Sequence, residues 1–195
     1  VMCFPHVLFR TRFDNVSTLS EKYMASLLMP IVGSVRIIGQ GNVPTNTPVV
    51  YVANHQSMID CMIVPILSRM GSPKPVVKNS FRFIPGVGTL MWMNRHIFVS
   101  TKASVLENCS KAIRSGDSVF MFPQGTRSRP TGESLWFRNG AFEVAIASGC
   151  PVVCVSIYIP RSVWDLTLRR DQVTATIHEP ISPGDMGLEA LRTRC

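Results

Sequence analysis

The chain has 195 residues, 46% of them hydrophobic, which is enough for one α/β domain with a substantial core and too few for two. Its formal charge of +8 favours an anionic partner, such as a phosphorylated small molecule, nucleic acid or an acidic membrane surface. We expect no nucleic acid, because the basic residues are scattered and no aromatic residues interleave with them as a base-stacking platform requires.

The sequence predicts neither a metal site nor a clean transmembrane helix. The four histidines lie far apart and share no ligand-like cluster with cysteine or acid. The most apolar uncharged run, residues 144–160, is interrupted by Gly149 and Pro151, which is typical of a helix-to-strand turn. We expect buried free thiols and a reducing compartment, although an even cysteine count leaves a disulfide possible. The six cysteines, none in a CxxC pair, are Cys3, Cys61, Cys109, Cys150, Cys154 and Cys195.

Residues 1–38 are predicted to form an N-terminal packing or membrane-proximal helical segment, and residues 39–195 the main domain. Apolar residues recur at helical spacing from residue 19 to 32, after a capping box that begins at Thr18. Packing is the first interpretation of this helix and membrane contact the second. Because the chain begins with Val1 rather than methionine and stops inside the helix-like run 188–195, we expect it to be truncated at both ends.

An apolar run from Val49 to Ala53 predicts a strand that is buried on both faces and is followed by His55. The histidine is therefore expected at the carboxyl end of a strand, where open α/β sheets usually hold their chemistry. Asp60 lies five residues further on, in the first turn of the next predicted helix. Its carboxylate can fold back onto one imidazole nitrogen, which fixes the tautomer and leaves the other nitrogen as a general base. Without a dedicated nucleophile, such a pair could activate a hydroxyl of the substrate.

Two other interpretations of this segment stay open. Ser57 lies two residues after His55 and is either a rival nucleophile or, as is commoner, a helix cap. The spacing of His55 and Asp60 also arises by chance in many chains. Its place after a buried strand favours the functional interpretation.

Strand and helix patterns alternate along the rest of the chain, which predicts a single α/β domain with a mostly parallel sheet flanked by helices on both faces. Strands are predicted at 35–39, 49–53, 74–78, 97–99, 118–122, 152–159 and 173–178, and helices at 60–71, 103–115, 141–148 and 188–195.

A second candidate site follows the strand at 118–122, in the loop Phe122-Pro-Gln-Gly-Thr-Arg-Ser-Arg129. Gly125 permits close approach of the backbone, Thr126 offers a hydroxyl, and Arg127 can bind phosphate in bidentate fashion. The loop is not a P-loop, because the GK[ST] ending is absent.

Lys78 ends the strand at 74–78, so a parallel sheet would place it at the same edge as His55. A solvated lysine at a strand tip is the alternative. The following segment, residues 81–93, mixes large apolar side chains with Arg82. Core packing explains this composition adequately, and a membrane interface explains it as well.

Several of these segments together resemble the glycerophospholipid acyltransferase family, in particular the 1-acylglycerol-3-phosphate (lysophosphatidate) acyltransferases. The resemblance runs from about residue 39 to 183, and the order and spacing of its parts argue against chance. These parts are Asn54-His-Gln-Ser-x-x-Asp60, the region 81–88 after Lys78, Phe122-Pro-Gln-Gly-Thr-Arg-Ser128, Phe137-Arg-x-Gly140 and Cys150-Pro-Val-Val-Cys-Val155.

The resemblance implies acyl transfer from acyl-CoA, or acyl carrier protein, to the sn-2 hydroxyl of lysophosphatidate, with these co-substrates and no further cofactor. In that reaction His55 takes the proton from the substrate hydroxyl, and Asp60 orients the imidazole and stabilises the imidazolium. The resemblance assigns the substrate phosphate to Lys78, Gln124, Gly125, Thr126 and Arg127. The expected product is phosphatidate, in phospholipid biosynthesis.

The sequence departs from the family pattern in two places. Gln124 stands where the family usually has glutamate, and Ser100 and Thr101 stand where it commonly has an arginine, so that phosphate binding would shift to Lys102 or the acceptor would differ. The alternatives are therefore an acyltransferase or transacylase for another lysophospholipid or glycerol 3-phosphate, and a lipid-binding pseudoenzyme.

The expected partners are lysophosphatidate, acyl-CoA and an anionic membrane surface. The expected location is a membrane: endoplasmic reticulum or plastid in a eukaryote, and the inner membrane in a bacterium. The sequence leaves the oligomeric state open.

Overall fold

Seven strands form one sheet in a computed structural model that describes residues 34–57, 60, 73–127, 136–160 and 172–195. The strands are β1 (Val35–Ile38), β2 (Val50–Ala53), β3 (Lys74–Lys78), β4 (Ile97–Val99), β5 (Val119–Met121), β6 (Val152–Tyr158) and β7 (Val173–Ile177). Their order is β1-β7-β6-β2-β5-β3-β4. Every neighbouring pair is parallel except β6 and β7, which confirms the mostly parallel α/β fold.

Four α-helices lie among the described residues: α1 (Val87–Met93), α2 (Lys102–Arg114), α3 (Gly140–Ser148) and α4 (Leu188–Arg194). Two short 3-10 helices, Gln40–Asn42 and Asn79–Phe83, complete them. The sequence patterns located α2, α3 and α4 to within a residue or so at each end but gave no helix for α1. The helix predicted at 19–32, and the continuation predicted at 61–71, lie outside the described residues.

The strand β2 is central and buried on both faces, as its unbroken apolar sequence predicts. Val50 and Val52 point to the face on which buried side chains of α2, α3 and α4 pack. Tyr51 and Ala53 point to the opposite face and join the buried residues of β6 and β7. Because side chains pack on both faces of β2, the position at which the following residues leave the sheet is fixed.

The helix α2 shows how local sequence sets an element's ends. Thr101 is its N-cap and accepts a hydrogen bond from the Ser104 N–H, while the Ser104 side chain accepts from the Thr101 N–H, forming a capping box. Gly116 follows the helix with a φ of 88°, a backbone conformation that glycine adopts at little cost.

The sheet includes β1, which lies within the residues that the sequence assigned to the N-terminal segment 1–38. Val35 to Ile38 pair in parallel with Val173 to Thr176. No helix among the residues in view is long and apolar enough to cross a membrane.

The cysteines depart from the expectation of free thiols. Cys154 on β6 and Cys195 after α4 form a disulfide across 41 residues of sequence, so the expectation is wrong for these two. The cause is tertiary: the two side chains belong to the same helix-covered face of the sheet, a neighbourhood that spacing along the chain does not reveal. Cys109 and Cys150 are buried free thiols, as expected.

Cysteine mapping tests this arrangement. Burial raises the pKa of Cys109 to about 12, so its thiolate is scarce at mildly alkaline pH and iodoacetamide should leave it unmodified in the folded chain. Peptide mass mapping without reductant should find the Cys154 and Cys195 peptides joined. Reduction in urea should expose all six thiols to alkylation. Rapid alkylation of Cys154 or Cys195 in the folded, unreduced chain would contradict the pairing.

Candidate active site

The end of β2 is clamped to β6 by the side chain of Asn54. Its Nδ2 donates to the carbonyl of Ile157 at 2.8 Å, and its Oδ1 accepts from the Ile157 N–H at 2.7 Å. The amide thus extends the parallel pairing of β2 with β6 beyond its last strand residue. It fixes the direction in which the chain leaves the sheet toward His55.

His55 and Asp60 meet as the sequence predicted. The Nδ1 of His55 lies 3.0 Å from Oδ2 of Asp60, whose side chain is fully buried. The same Oδ2 accepts the backbone N–H groups of Gln56 and Ser57, the latter at 2.7 Å. Three donors converging on one oxygen hold the carboxylate in place at the start of the helix.

The contact with Asp60 sets the tautomer of the imidazole. An ionised carboxylate can only accept hydrogen bonds, so the ring proton of His55 belongs on Nδ1. The lone pair then lies on Nε2, the nitrogen that would act as a base. The His55 side chain is 16% exposed, which leaves it accessible from outside.

The loop after β5 contacts His55 at two points. The Phe122 ring stacks on the imidazole, with centroids 4.3 Å apart and planes 22° from parallel. The buried side chain of Gln124 accepts the His55 backbone N–H at Oε1. The two candidate sites of the sequence, 69 residues apart, therefore form one site.

The remaining predicted site residues lie at the same edge of the sheet. Lys74 of β3 is level with Val119 of β5, and Val119 with Val50 of β2. Extending this register by four residues brings Lys78 level with Asn54. Lys78, Gly125, Thr126 and Arg127 are all exposed. The prediction that Lys78 shares an edge with His55 thus agrees with the strand pairing.

Arg138 is a further cation at this edge, to which sequence reasoning assigned no role. Gly125 has a φ of 66°, and a Cβ there would lie 2.9 Å from Nε of Arg138. The Arg138 N–H also donates to the Pro123 carbonyl at 2.9 Å. The arginine therefore lies directly against the loop. The block Phe137-Arg-x-Gly140 was the sequence signal, but only the fold shows what it touches.

Thr101 and Lys102, where the sequence lacks the arginine that is common in the family, both have partners within the chain. Thr101 caps α2, and Nζ of Lys102 lies 2.8 Å from Oε1 of Glu143 on α3. The Lys102 side chain is 72% exposed, so this ion pair is open to solvent and contributes little to stability. No group of three or more His, Cys, Asp or Glu side chains in the described part of the chain is placed to hold a metal ion.

The site thus combines a histidine–carboxylate pair with a basic loop at the carboxyl edge of a parallel sheet. The chain that carries it is similar to several known proteins. A sequence profile of the family described as Acyltransferase matches residues 34–158. A 1-acyl-sn-glycerol-3-phosphate acyltransferase of Chlamydomonas reinhardtii is 34% identical over 186 residues, which cover 88% of this chain and 55% of that protein. A protein of the same name from Escherichia coli strain K12 is 32% identical over 152 residues, covering 73% and 60%.

A solved structure agrees with these relatives. The crystal structure of the 1-acyl-sn-glycerophosphate (LPA) acyltransferase PlsC from Thermotoga maritima aligns with a TM-score of 0.72 and 27% identity, over 97% of this chain and 82% of that one. The chain belongs to the Acyltransferase family, which confirms the resemblance. It spans 55% of the Chlamydomonas protein and 52% of a chloroplastic relative from Brassica napus, about half the length of each.

The hydrogen bond from the His55 N–H to Oε1 of Gln124 can be tested by measuring the free energy of unfolding of variants. We expect Gln124→Leu to lower the free energy of unfolding by about 1–3 kcal/mol, because the His55 N–H loses its acceptor. Gln124→Glu keeps an acceptor oxygen of the same reach, so it should change stability by less than about 1 kcal/mol. Urea unfolding of both variants measures the difference. Equal stability of the leucine and glutamate variants would contradict a structural role for this bond.

Proposed function

We propose that the chain transfers an acyl group from acyl-CoA, or acyl carrier protein, to the sn-2 hydroxyl of lysophosphatidate, giving phosphatidate. The observation that carries this proposal is the 3.0 Å contact between His55 Nδ1 and Asp60 Oδ2 beside the loop of Arg127. The names of the relatives supply the acceptor, because each is a 1-acyl-sn-glycerol-3-phosphate acyltransferase.

In the proposed reaction His55 is the general base. Nε2 takes the proton of the sn-2 hydroxyl as the oxygen attacks the thioester carbonyl carbon. Asp60 stabilises the imidazolium through the hydrogen bond at Nδ1. The tetrahedral intermediate then expels the thiolate, which takes the proton from Nε2, so that the enzyme returns to its starting state. Base catalysis of this kind contributes roughly 100- to 10,000-fold to the rate.

The basic edge of the sheet would hold the acceptor. Lys78 and Arg127 are exposed cations at this edge, and Thr126, which precedes Arg127 in the loop after β5, adds a hydroxyl. A phosphate held there would orient the glycerol hydroxyl toward His55, and such positioning contributes several kcal/mol to lowering a barrier. Gln124 would act by joining the loops and Gly125 by admitting Arg138, which would add a third cation.

The hydrogen bonds narrow the choice of oxyanion donors. The N–H of His55 donates to Gln124, and those of Gln56 and Ser57 donate to Asp60. The Gly125 N–H donates to the Phe122 carbonyl at 3.1 Å. The N–H groups of Thr126 and Arg127 have no partner among the described residues, so we assign them to the oxyanion or the phosphate.

We further propose that residues 83–92 face an anionic membrane surface. Five of the ten large apolar side chains that are exposed in the described ranges fall within this segment. They are Phe83, Ile84, Val87, Leu90 and Trp92, with Phe83 76% exposed. Apolar contact here together with the +8 charge would hold the protein where its lipid substrate resides. Chloroplastic and bacterial relatives point to a plastid or bacterial membrane.

Removing the base tests the chemistry. His55→Ala should lower kcat for release of free CoA from oleoyl-CoA and lysophosphatidate by roughly 100- to 10,000-fold. Asp60→Asn should also lower kcat strongly, by as much as roughly 10,000-fold, because an amide no longer holds the ring proton on Nδ1 and the lone pair on Nε2. His178→Ala is the matched control, because that exposed histidine bonds to Ser156 on another part of the sheet. Unchanged turnover in His55→Ala would refute the assignment of His55 as the base. If the unsubstituted chain bound lipid but acylated no acceptor, the proposed acyl transfer would be refuted.

Removing the cations tests the acceptor. Lys78→Ala and Arg127→Ala should each raise KM for lysophosphatidate roughly 10- to 100-fold, the effect of losing one charge-assisted hydrogen bond. The KM for the acyl donor should change little. A panel of lysophosphatidate, lysophosphatidylcholine and glycerol 3-phosphate, each with acyl-CoA and acyl carrier protein, identifies the true pair. Turnover that is faster on lysophosphatidylcholine than on lysophosphatidate would transfer the assignment to another lysophospholipid.

A further inference from the structure

The short segment 136–139 leads from the edge of the sheet that carries the site into α3. Its Arg138 lies against the loop after β5 in two ways. The N–H donates to the Pro123 carbonyl at 2.9 Å, and a Cβ at Gly125 would lie 2.9 Å from Nε of the side chain. Arg138 is nevertheless exposed, and an exposed arginine has many rotamers open to it. The residues beside Arg138 therefore decide how firmly this cation is held at the loop.

The next residue, Asn139, does not use its side chain in the way its position predicts. It immediately precedes α3, where an asparagine commonly accepts an N–H of the first helical turn. Within α3, all of whose residues the structure describes, no N–H bonds to this side chain. Its Oδ1 accepts instead from Nη1 of Arg192 on α4, at 3.0 Å and across 53 residues of sequence. The side chain thus serves a contact between distant segments rather than the end of a helix.

Arg192 reaches Asn139 from a helix whose position is fixed. Its neighbour Leu191 is fully buried among the side chains on the helix-covered face of the sheet. Three residues after Arg192, Cys195 is joined to Cys154 of β6. The Arg192 side chain itself is only 26% exposed, so it has little freedom to move away. The bond to Asn139 therefore ties the segment 136–139 to the core of the domain.

The guanidinium of Arg192 contacts the segment 136–139 at both ends. Its central carbon lies 6.0 Å from the centroid of the Trp136 ring, at the limit of a cation–π contact, while Nη1 bonds to Asn139. Arg138 lies between these two residues in the chain. Holding both ends of so short a segment limits the backbone positions from which the Arg138 side chain can start.

The electrostatics of the helices do not account for this placement of Arg192. A cation is favoured in the last turn of α4, but the exposed Arg194 in the same turn supplies one equally well. The start of α3, toward which Arg192 extends, disfavours a cation because a helix N-terminus is itself positive. Glu189 lies 3.6 Å from Nη2 of Arg192 but is 88% exposed, so this ion pair contributes little. What the arginine specifically provides is the contact with Asn139.

We propose that Arg192 is a positioning residue for binding of the acyl acceptor. It holds the segment 136–139 and so keeps the Arg138 guanidinium at the loop after β5, where the phosphate of lysophosphatidate would bind. The identity of this ligand rests on the proposed function. Because Arg192 acts through Asn139 and not on the reacting atoms, its loss should weaken acceptor binding and leave the chemical step at His55 unchanged.

Binding of soluble 1-hexanoyl lysophosphatidate, measured by isothermal titration calorimetry, tests this role without turnover. Arg192→Ala should raise Kd roughly 3- to 10-fold, the range expected when one of two coupled groups is lost. Asn139→Ala should raise it by a similar factor, because it removes the other end of the same bond and no cap of α3. Arg194→Ala is the matched control, since it removes an exposed arginine of the same helix and should leave Kd unchanged.

A double variant separates positioning from a general loss of structure. If Arg192 acts through Arg138, then Arg192→Ala should add little to the Kd of Arg138→Ala. In turnover with oleoyl-CoA, Arg192→Ala should raise KM for lysophosphatidate by the same factor as Kd and leave kcat unchanged. An unchanged Kd in Arg192→Ala, an equal rise in Arg194→Ala, or fully additive losses in the double variant would each overturn the inference.

Failure of the proposed function would give a different result. An unsubstituted chain that binds lysophosphatidate but acylates no acceptor would refute acyl transfer, while the Kd values of the variants would still decide the role of Arg192. An unsubstituted chain that does not bind lysophosphatidate at all would overturn both the inference and the assigned acceptor.

Discussion

The hydrogen bond from the His55 N–H to Oε1 of Gln124 joins the two loops from which the site is built. It is possible only because β2 and β5 are adjacent and parallel, so that both chains leave the sheet at the same edge. The Phe122 ring stacks on the imidazole and covers it with apolar surface. With Asn54 clamped to β6, the imidazole is fixed by backbone, ring and carboxylate together. An imidazole held in this way needs little reorganisation when it gains a proton.

The parts of the site that the sequence predicted are those that depend on nearby residues. The contact of His55 with Asp60 follows from five residues of spacing after a buried strand, and the limits of α2 follow from Thr101 and Gly116. The shared edge of Lys78 and His55 was predicted from the parallel strands, but individual side-chain contacts over long separations were not. The approach of Arg138 to Gly125, the bond of Gln124 to His55 and the disulfide of Cys154 with Cys195 all depend on which strands become neighbours. Periodicity fixes the type of an element but not its neighbours.

The strand order also divides the positive charge of the chain. Lys78, Arg127 and Arg138 lie at the carboxyl edge near the centre of the sheet, whereas Arg95 and Lys111 lie beside β4 at its margin. The net charge of +8 gives no position for these cations, while the fold places them in two separate regions. The antiparallel pairing of β6 with β7 lies on the other side of β2 from β4. This antiparallel pair therefore includes none of the strands that lie beside the two basic regions.

The glutamine at position 124 bears on whether the chain keeps the chemistry of the family it belongs to. Its observed task is to accept one backbone N–H, and an amide oxygen does this with the same reach as a carboxylate oxygen. A bond to a charged acceptor is roughly twice as strong as a neutral one, so the exchange for glutamine weakens the bond by about 1 kcal/mol. That loss is small beside the three donors that hold Asp60 and the clamp at Asn54, both of which remain. The substitution therefore removes a charge near Arg127 while leaving the position of the His55 imidazole and of the Asp60 carboxylate intact.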